Sequence, residues 1–171
     1  VVFGKASEYS SSLNLSSLNG TTGFSITGIN HQDVAGYSLN TAGDVNGDGY
    51  DDIIIGAHKG DPNGGDSGEA YVVFGKASGY SSNLNLSSLN GSNGYVLNGI
   101  DGMDYAGHSV DTAGDINGDG YADIIIGAIK ADPNGDNSGE SYVVFGNTSL
   151  KVANVNDAVS GVPTISGTAT Q

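Results

Sequence analysis

Hydrophobic residues along the chain fall in short clusters, bounded by Gly, Asn, Asp and Ser. No run keeps a helical period for three turns, so the pattern predicts an all-β protein with little helix. Strands are expected near residues 70–74, 95–99, 108–113 and 123–128, and again at 141–145. Ile53-Ile54-Ile55 and Ile124-Ile125-Ile126 run without alternation. Such runs suit strands covered on both faces, so these two are expected as inner strands packed between neighbouring sheets. Asp61-Pro62-Asn63-Gly64 and Asp132-Pro133-Asn134-Gly135 predict exposed turns, because Pro fixes φ while Asn and Gly tolerate positive φ. Leu13, Leu15 and Leu18, matched by Leu84, Leu86 and Leu89, are spaced through Ser and Asn. That spacing predicts ordered loops that tuck leucines under a sheet edge.

The whole pattern recurs. Val72 aligns under Val1 without a gap at an offset of 71, pairing Phe3 with Phe74, Asp44 with Asp115, Gly56 with Gly127 and Tyr71 with Tyr142. The copies differ at 22 of 71 positions and share 49, and a third begins at Val143-Val144-Phe145-Gly146. A period this long exceeds the usual solenoid unit and suits a four-stranded module with one long loop, as in a large propeller blade. The expected organisation is one repeat at 1–71, a second at 72–142, the start of a third or a closing strand at 143–151, and a segment at 152–171 that breaks the pattern.

Charge narrows the function. Lys+Arg number 5 against 19 Asp+Glu, the five basic residues are all Lys, and the formal net charge is -14. That balance rules against a phosphate-tracking groove and against nucleic acid or an anionic membrane as partner; a cation is the natural one. Without cysteine there is no disulfide framework, zinc-thiolate site or thiol nucleophile, so stability comes from a core, a hard metal or assembly. A hydrophobic content of 37% suffices for the core of about one domain. The longest apolar stretch, residues 53–57, is too short to span a bilayer, and no basic-plus-apolar leader is present. The opening Val1 reads as a processed product or as part of a longer protein.

Asp44-Val45-Asn46-Gly47-Asp48-Gly49-Tyr50-Asp51-Asp52 recurs as Asp115-Ile116-Asn117-Gly118-Asp119-Gly120-Tyr121-Ala122-Asp123. Oxygen side chains at loop positions 1, 3 and 5, Gly at 6, a backbone carbonyl at 7 and a carboxylate at 9 reproduce the start of an EF-hand calcium loop. The candidate ligands are therefore Asp44, Asn46, Asp48, the Tyr50 carbonyl and Asp52, and in the second copy Asp115, Asn117, Asp119, the Tyr121 carbonyl and Asp123. Hard oxygen donors select Ca²⁺ or Mg²⁺ over zinc or copper, and a flexible loop favours the larger ion, giving two Ca²⁺ sites. Position 12 is Ile55 or Ile126, not Glu, so position 9 closes the site and no helix flanks it. The loop should join two adjacent strands as a hairpin. A plain Asn-Gly-Asp-Gly turn would not need converging carboxylates, whose repulsion costs stability unless a cation offsets it. Asp51 is replaced by Ala122 in the second copy, which argues against it as a ligand.

These residues resemble FG-GAP repeats, the blades of the integrin α-subunit β-propeller, in the form found in large secreted or surface proteins of bacteria. The resemblance covers roughly residues 1–146. It rests on Gly43 to Ala57, on the second copy of that segment, and on the Tyr-Val-Val-Phe-Gly strands. The Phe-Gly position of the family reads Ala35-Gly36 and Ala106-Gly107, and the Gly-Ala-Pro position reads Gly56-Ala57-His58 and Gly127-Ala128-Ile129. The resemblance implies about two four-stranded propeller blades with flanking strands, each holding Ca²⁺ in an inter-strand loop on one rim. It further implies adhesion or recognition outside the cell. Residues 152–171 resemble the linker or opening strand of the immunoglobulin-like or cadherin-like modules that follow such propellers.

His31, His58 and His108 match Gly102, Ile129 and Tyr37 in the alternate copy, so a catalytic group built on imidazole would belong to one repeat alone. No Gly-x-Ser-x-Gly elbow is present, and the repeated carboxylates sit at i, i+2 and i+4 of one loop and not across a cleft. The sequence thus favours a non-enzymatic, calcium-stabilised module with an extracellular protein or glycan as ligand. Two alternatives stand beside it. One is a repeat unit of an extracellular fibre or surface layer, assembled by strand or blade contacts with the parent chain or with identical subunits. The other is a glycan-binding module, which the absence of Trp disfavours.

Overall fold

The computed structural model describes residues 1–6 and 11–148. The segment at 152–171 and the end of the third copy at 149–151 lie outside the described residues. Among the described residues the strands follow in order: β1 (Ser25–Thr27), β2 (Ser38–Gly43), β3 (Asp52–Ala57), β4 (Glu69–Val73), β5 (Asn83–Asn85), β6 (Gly94–Asn98), β7 (Ala106–Gly114), β8 (Asp123–Ala128) and β9 (Glu140–Val144). Helix among the described residues is confined to two 3₁₀ turns, Leu15–Ser17 and Leu86–Ser88, in which the Asn14 and Asn85 side chains accept from the amides of Ser16 and Ser87. The five strands expected from the apolar clusters all form, each within two residues of its expected limits.

The strands assemble into an antiparallel sheet of order β2-β3-β4-β6, a second of order β7-β8-β9, and a parallel pair of β1 with β5. The four-stranded sheet draws on residues 38 to 98 and so straddles the point where one sequence copy passes into the next. The triple-Ile strands β3 and β8 each lie between two hydrogen-bonded neighbours, as their unbroken apolar character requires. Before the first full sheet, Val2 bridges Gly23 in antiparallel fashion and the Phe24 amide donates to the Val1 carbonyl at 3.0 Å. This contact is the counterpart of the Val73–Gly94 pairing between β4 and β6.

Consecutive sheets pack face to face. Ala42, Ile54, Ala70 and Val72 form one core with Val110, Ile124 and Ile126 of the following sheet, each buried. Burying the Val and Ile side chains contributes about 1.5–3 kcal/mol apiece before conformational entropy is counted. Near the contact, Asn40 Nδ2 donates to Asp111 Oδ1 at 2.7 Å, and the Tyr37 hydroxyl lies 3.3 Å from His108 Nε2. Both pairs join a residue to its own copy 71 positions on. In a rotational repeat such self-contacts occur nearest the axis, so β2 and β7 are the innermost strands. Close approach there requires glycine: a methyl at Gly56 would lie 2.0 Å from the Gly107 carbonyl oxygen.

The long excursion between β4 and β6 carries β5 and the second leucine set back against the preceding repeat. Leu86 is 1% exposed, in a cluster with Ile55, Ala57, Tyr71 and Val73 that also engages Ile26 of β1 and Leu84 and Leu89. The expectation of tucked leucines holds for this copy only. Leu15, the counterpart of Leu86, is 69% exposed, and Leu13 is exposed with it.

Candidate metal centres

Each acidic segment is the hairpin connection at one rim of its sheet, joining β2 to β3 and β7 to β8. Gly49 and Gly120, at loop position 6, have φ of 88° and 92°, the left-handed region that glycine enters without strain. Asp44 organises the first loop: Oδ1 accepts from the Gly47 and Asp48 amides at 2.8 and 3.0 Å, and Oδ2 accepts from Gly49 at 2.8 Å. Asn46 Oδ1 accepts from the Asp48 amide, Asp48 Oδ1 accepts from the Tyr50 amide, and Asn46 Nδ2 donates to Asp48 Oδ2. Asp115, Asn117, Asp119 and Tyr121 repeat every one of these bonds. Side-chain oxygens thus curl the backbone through a series of Asx turns, which is why Asp and Asn occupy the odd positions.

Asp52 and Asp123 stand apart from the exposed part of the loop. Both are buried. Asp52 Oδ2 accepts from the Val45 amide at 3.0 Å and Oδ1 from the Gly75 amide at 2.8 Å, pinning the loop to the chain just beyond β4. Asp123 makes the equivalent bonds to Ile116 and Gly146 at 2.9 and 3.0 Å. Burial raises the Asp52 pKa to about 6, the two amides oppose the rise, and the charges of Asp48 and Asp44 add to it. Among the described residues, no three His, Asp or Glu side chains form a cluster; each loop sets Asn and backbone oxygens beside its carboxylates, and the side-chain oxygens accept from backbone amides.

A group that the sequence pattern did not assemble lies at the opposite ends of the strands. Tyr37, His58 and His108 form a triangle of rings with centroids 4.2 to 5.4 Å apart, and Lys130 Nζ lies over the neighbouring Tyr105 ring. His58 is buried, and its Nδ1 has no hydrogen-bond partner among the described residues. Its pKa is lowered, chiefly by burial and then by His108 and Lys59. The missed signal was the repeat itself: positions 37 and 108 are equivalent, and equivalents meet near the axis.

A four-stranded antiparallel sheet packed on its own copy, with an oxygen-rich hairpin loop on the same rim of each, defines a β-propeller blade repeat. Residues 35–73 and 106–144 match the model of the FG-GAP repeat, and the chain is an FG-GAP repeat protein. It is 35% identical over 128 residues to integrin alpha-PS2 of Drosophila melanogaster; the match takes in 72% of this chain and 8% of that relative's length.

Proposed function

We propose that the chain is a calcium-binding, non-enzymatic adhesion or recognition module of integrin-like propeller type that works outside the cell. The observation that carries this reading is the donor set of the two hairpin loops, oxygen throughout and built on the same bonds in both copies. Asp44, Asn46, Asp48, the Tyr50 carbonyl and Asp52 would hold one ion, and Asp115, Asn117, Asp119, the Tyr121 carbonyl and Asp123 the other. A carboxylate oxygen that accepts one amide keeps a further lone pair for a cation. Repulsion among Asp44, Asp48 and Asp52 is what an ion would reverse. When bound, Ca²⁺ supplies a crosslink between hairpin and sheet; Asp52 already directs the loop toward Gly75.

Melting the whole chain in EDTA and in millimolar Ca²⁺ tests the reading. Binding to the folded state alone stabilises by about 2.7 kcal/mol per site at a hundredfold excess over Kd, so the calcium curve should lie clearly higher. Indistinguishable curves would remove calcium from the account. The partners follow from the exposed sheet faces. Leu39 and Val143 are exposed, whereas their copies Val110 and Val72 are buried between sheets. Further blades, of the parent chain or of an identical subunit, are the surfaces that fit them.

A further inference from the structure

We propose that the first calcium loop is completed by the second repeat, so that the two loops take up Ca²⁺ with coupled affinities. The inference rests on the calcium reading above and adds to it, as positioning residues, Tyr121 and Ala122 of the second repeat and Asn147 of the segment that follows it. The Ala122 amide donates to the Asp44 carbonyl at 3.0 Å, and the Asn147 amide donates to the Val45 carbonyl at 2.9 Å. Asp44 is loop position 1, so the second repeat holds the backbone of the residue that organises the first loop. The Tyr121 ring lies on Gly47: a methyl there would come within 2.3 Å of Cε1. Ala122 packs on Gly43, where a methyl would approach its Cβ to 2.6 Å. This packing also accounts for the small residue at position 122 where the first copy has Asp51.

The second loop has no such brace among the described residues. Gly114 and Gly118, the counterparts of Gly43 and Gly47, have nothing within 4 Å of a would-be methyl. Val45 is 1% exposed, whereas its counterpart Ile116 is 57% exposed. The braced loop starts closer to a single conformation and loses less freedom when an ion orders it. Tyr121 and Ala122 are also positions 7 and 8 of the second loop, the stretch that its own ion would order. Filling the second loop therefore fixes the ring and the amide that support the first, and by linkage the effect is reciprocal.

The test is a Ca²⁺ titration of the whole chain followed by the amide resonances of Gly49 and Gly120, one reporter in each loop. Asp119→Ala, which silences the second loop, should raise the Kd read at Gly49 by about five- to tenfold, within the usual range of coupling between sites. Tyr121→Ala should weaken the first loop similarly with the second still titrating, and Tyr121→Phe should restore it. Midpoints at Gly49 within twofold of the parent in both Asp119→Ala and Tyr121→Ala would overturn the coupling while leaving the calcium reading intact. Reporters that do not move at all in the parent chain would overturn the calcium reading itself.

Discussion

Leu15 and Leu86 provide a stability experiment with its own control. Both open a Leu-Ser-Ser 3₁₀ turn, and each turn is capped by an Asn side chain that accepts from the amide of its second residue at 3.0 or 2.9 Å. Substituting Ala therefore changes local propensity equally at the two positions and leaves burial as the difference. Leu86→Ala removes methyl groups packed among Ile55, Ala57, Tyr71 and Val73, where the strands resist collapse into the space. Loss of a buried leucine of this kind costs about 3 kcal/mol, near the lower end of the range for such cavities. Leu15→Ala, at a mostly exposed position, should fall within roughly 0.5 kcal/mol of the parent. Urea denaturation should show a lowered midpoint for Leu86→Ala at unchanged slope. A thermal scan should show a drop of roughly 6–12 °C, from about 2–4 °C per kcal/mol at this chain length. Equal losses in the two variants would refute the reasoning, since they would mean that the long loop is not docked by its second leucine set.

In EDTA, Asp52→Ala should cost roughly 2–5 kcal/mol, because it strands the Val45 and Gly75 amides, whereas Asp48→Ala should cost little. Chemical denaturation of both variants checks this, and equal losses would mean that Asp52 has no structural role beyond the loop. Gly47→Ala and Gly118→Ala impose the same backbone strain, at φ of 74° and 75°, but only the first meets a neighbour, so it should lower the melting temperature further. Equal shifts would place the Tyr121 ring elsewhere. Burial lowers the His58 pKa, so the unfolded chain takes up this proton first; the residue's stabilising contribution is complete above 6.5 and is lost as pH falls below it. NMR titration of the imidazole should give a midpoint below 6.5, and His58→Ile should lose less stability than the parent between pH 7 and 5. An ordinary midpoint would count against the buried, neutral ring.

Much of the fold was legible because its information is local. The Ile53–Ile55 run, the Asp-Pro-Asn-Gly turns and the alignment of Asp44 with Asp115 each encode their own structure. What escaped depends on residues distant in sequence. Ser25-Ile26-Thr27 and Asn83-Leu84-Asn85 hold one apolar residue each and become strands only beside one another, with Ser25 and Asn83 58 positions apart. Leu15 and Leu86 sit in the same Asn-Leu-Ser-Ser-Leu sequence yet differ in burial, so the segment alone could not tell them apart. At the acidic loops, spacing marked the candidate ligands but not the structural role of Asp52, whose partner at Gly75 lies 23 residues on. The ring group of Tyr37, His58 and His108 stayed hidden because its members share no motif and meet only through the axis.

The sheet that straddles two sequence copies has a consequence for how such genes can change. Strands β2 and β3 come from the first copy, β6 from the second, and β4 spans the junction, so the unit of duplication is not the unit of folding. Unequal crossing-over between two copies in register, at any point of the period, would yield a chain in which every sheet still receives one strand of each kind in the same order. No breakpoint is privileged, and gain or loss proceeds in steps of one whole blade. Recombination can therefore lengthen or shorten an array of this kind without first finding a domain boundary to cut.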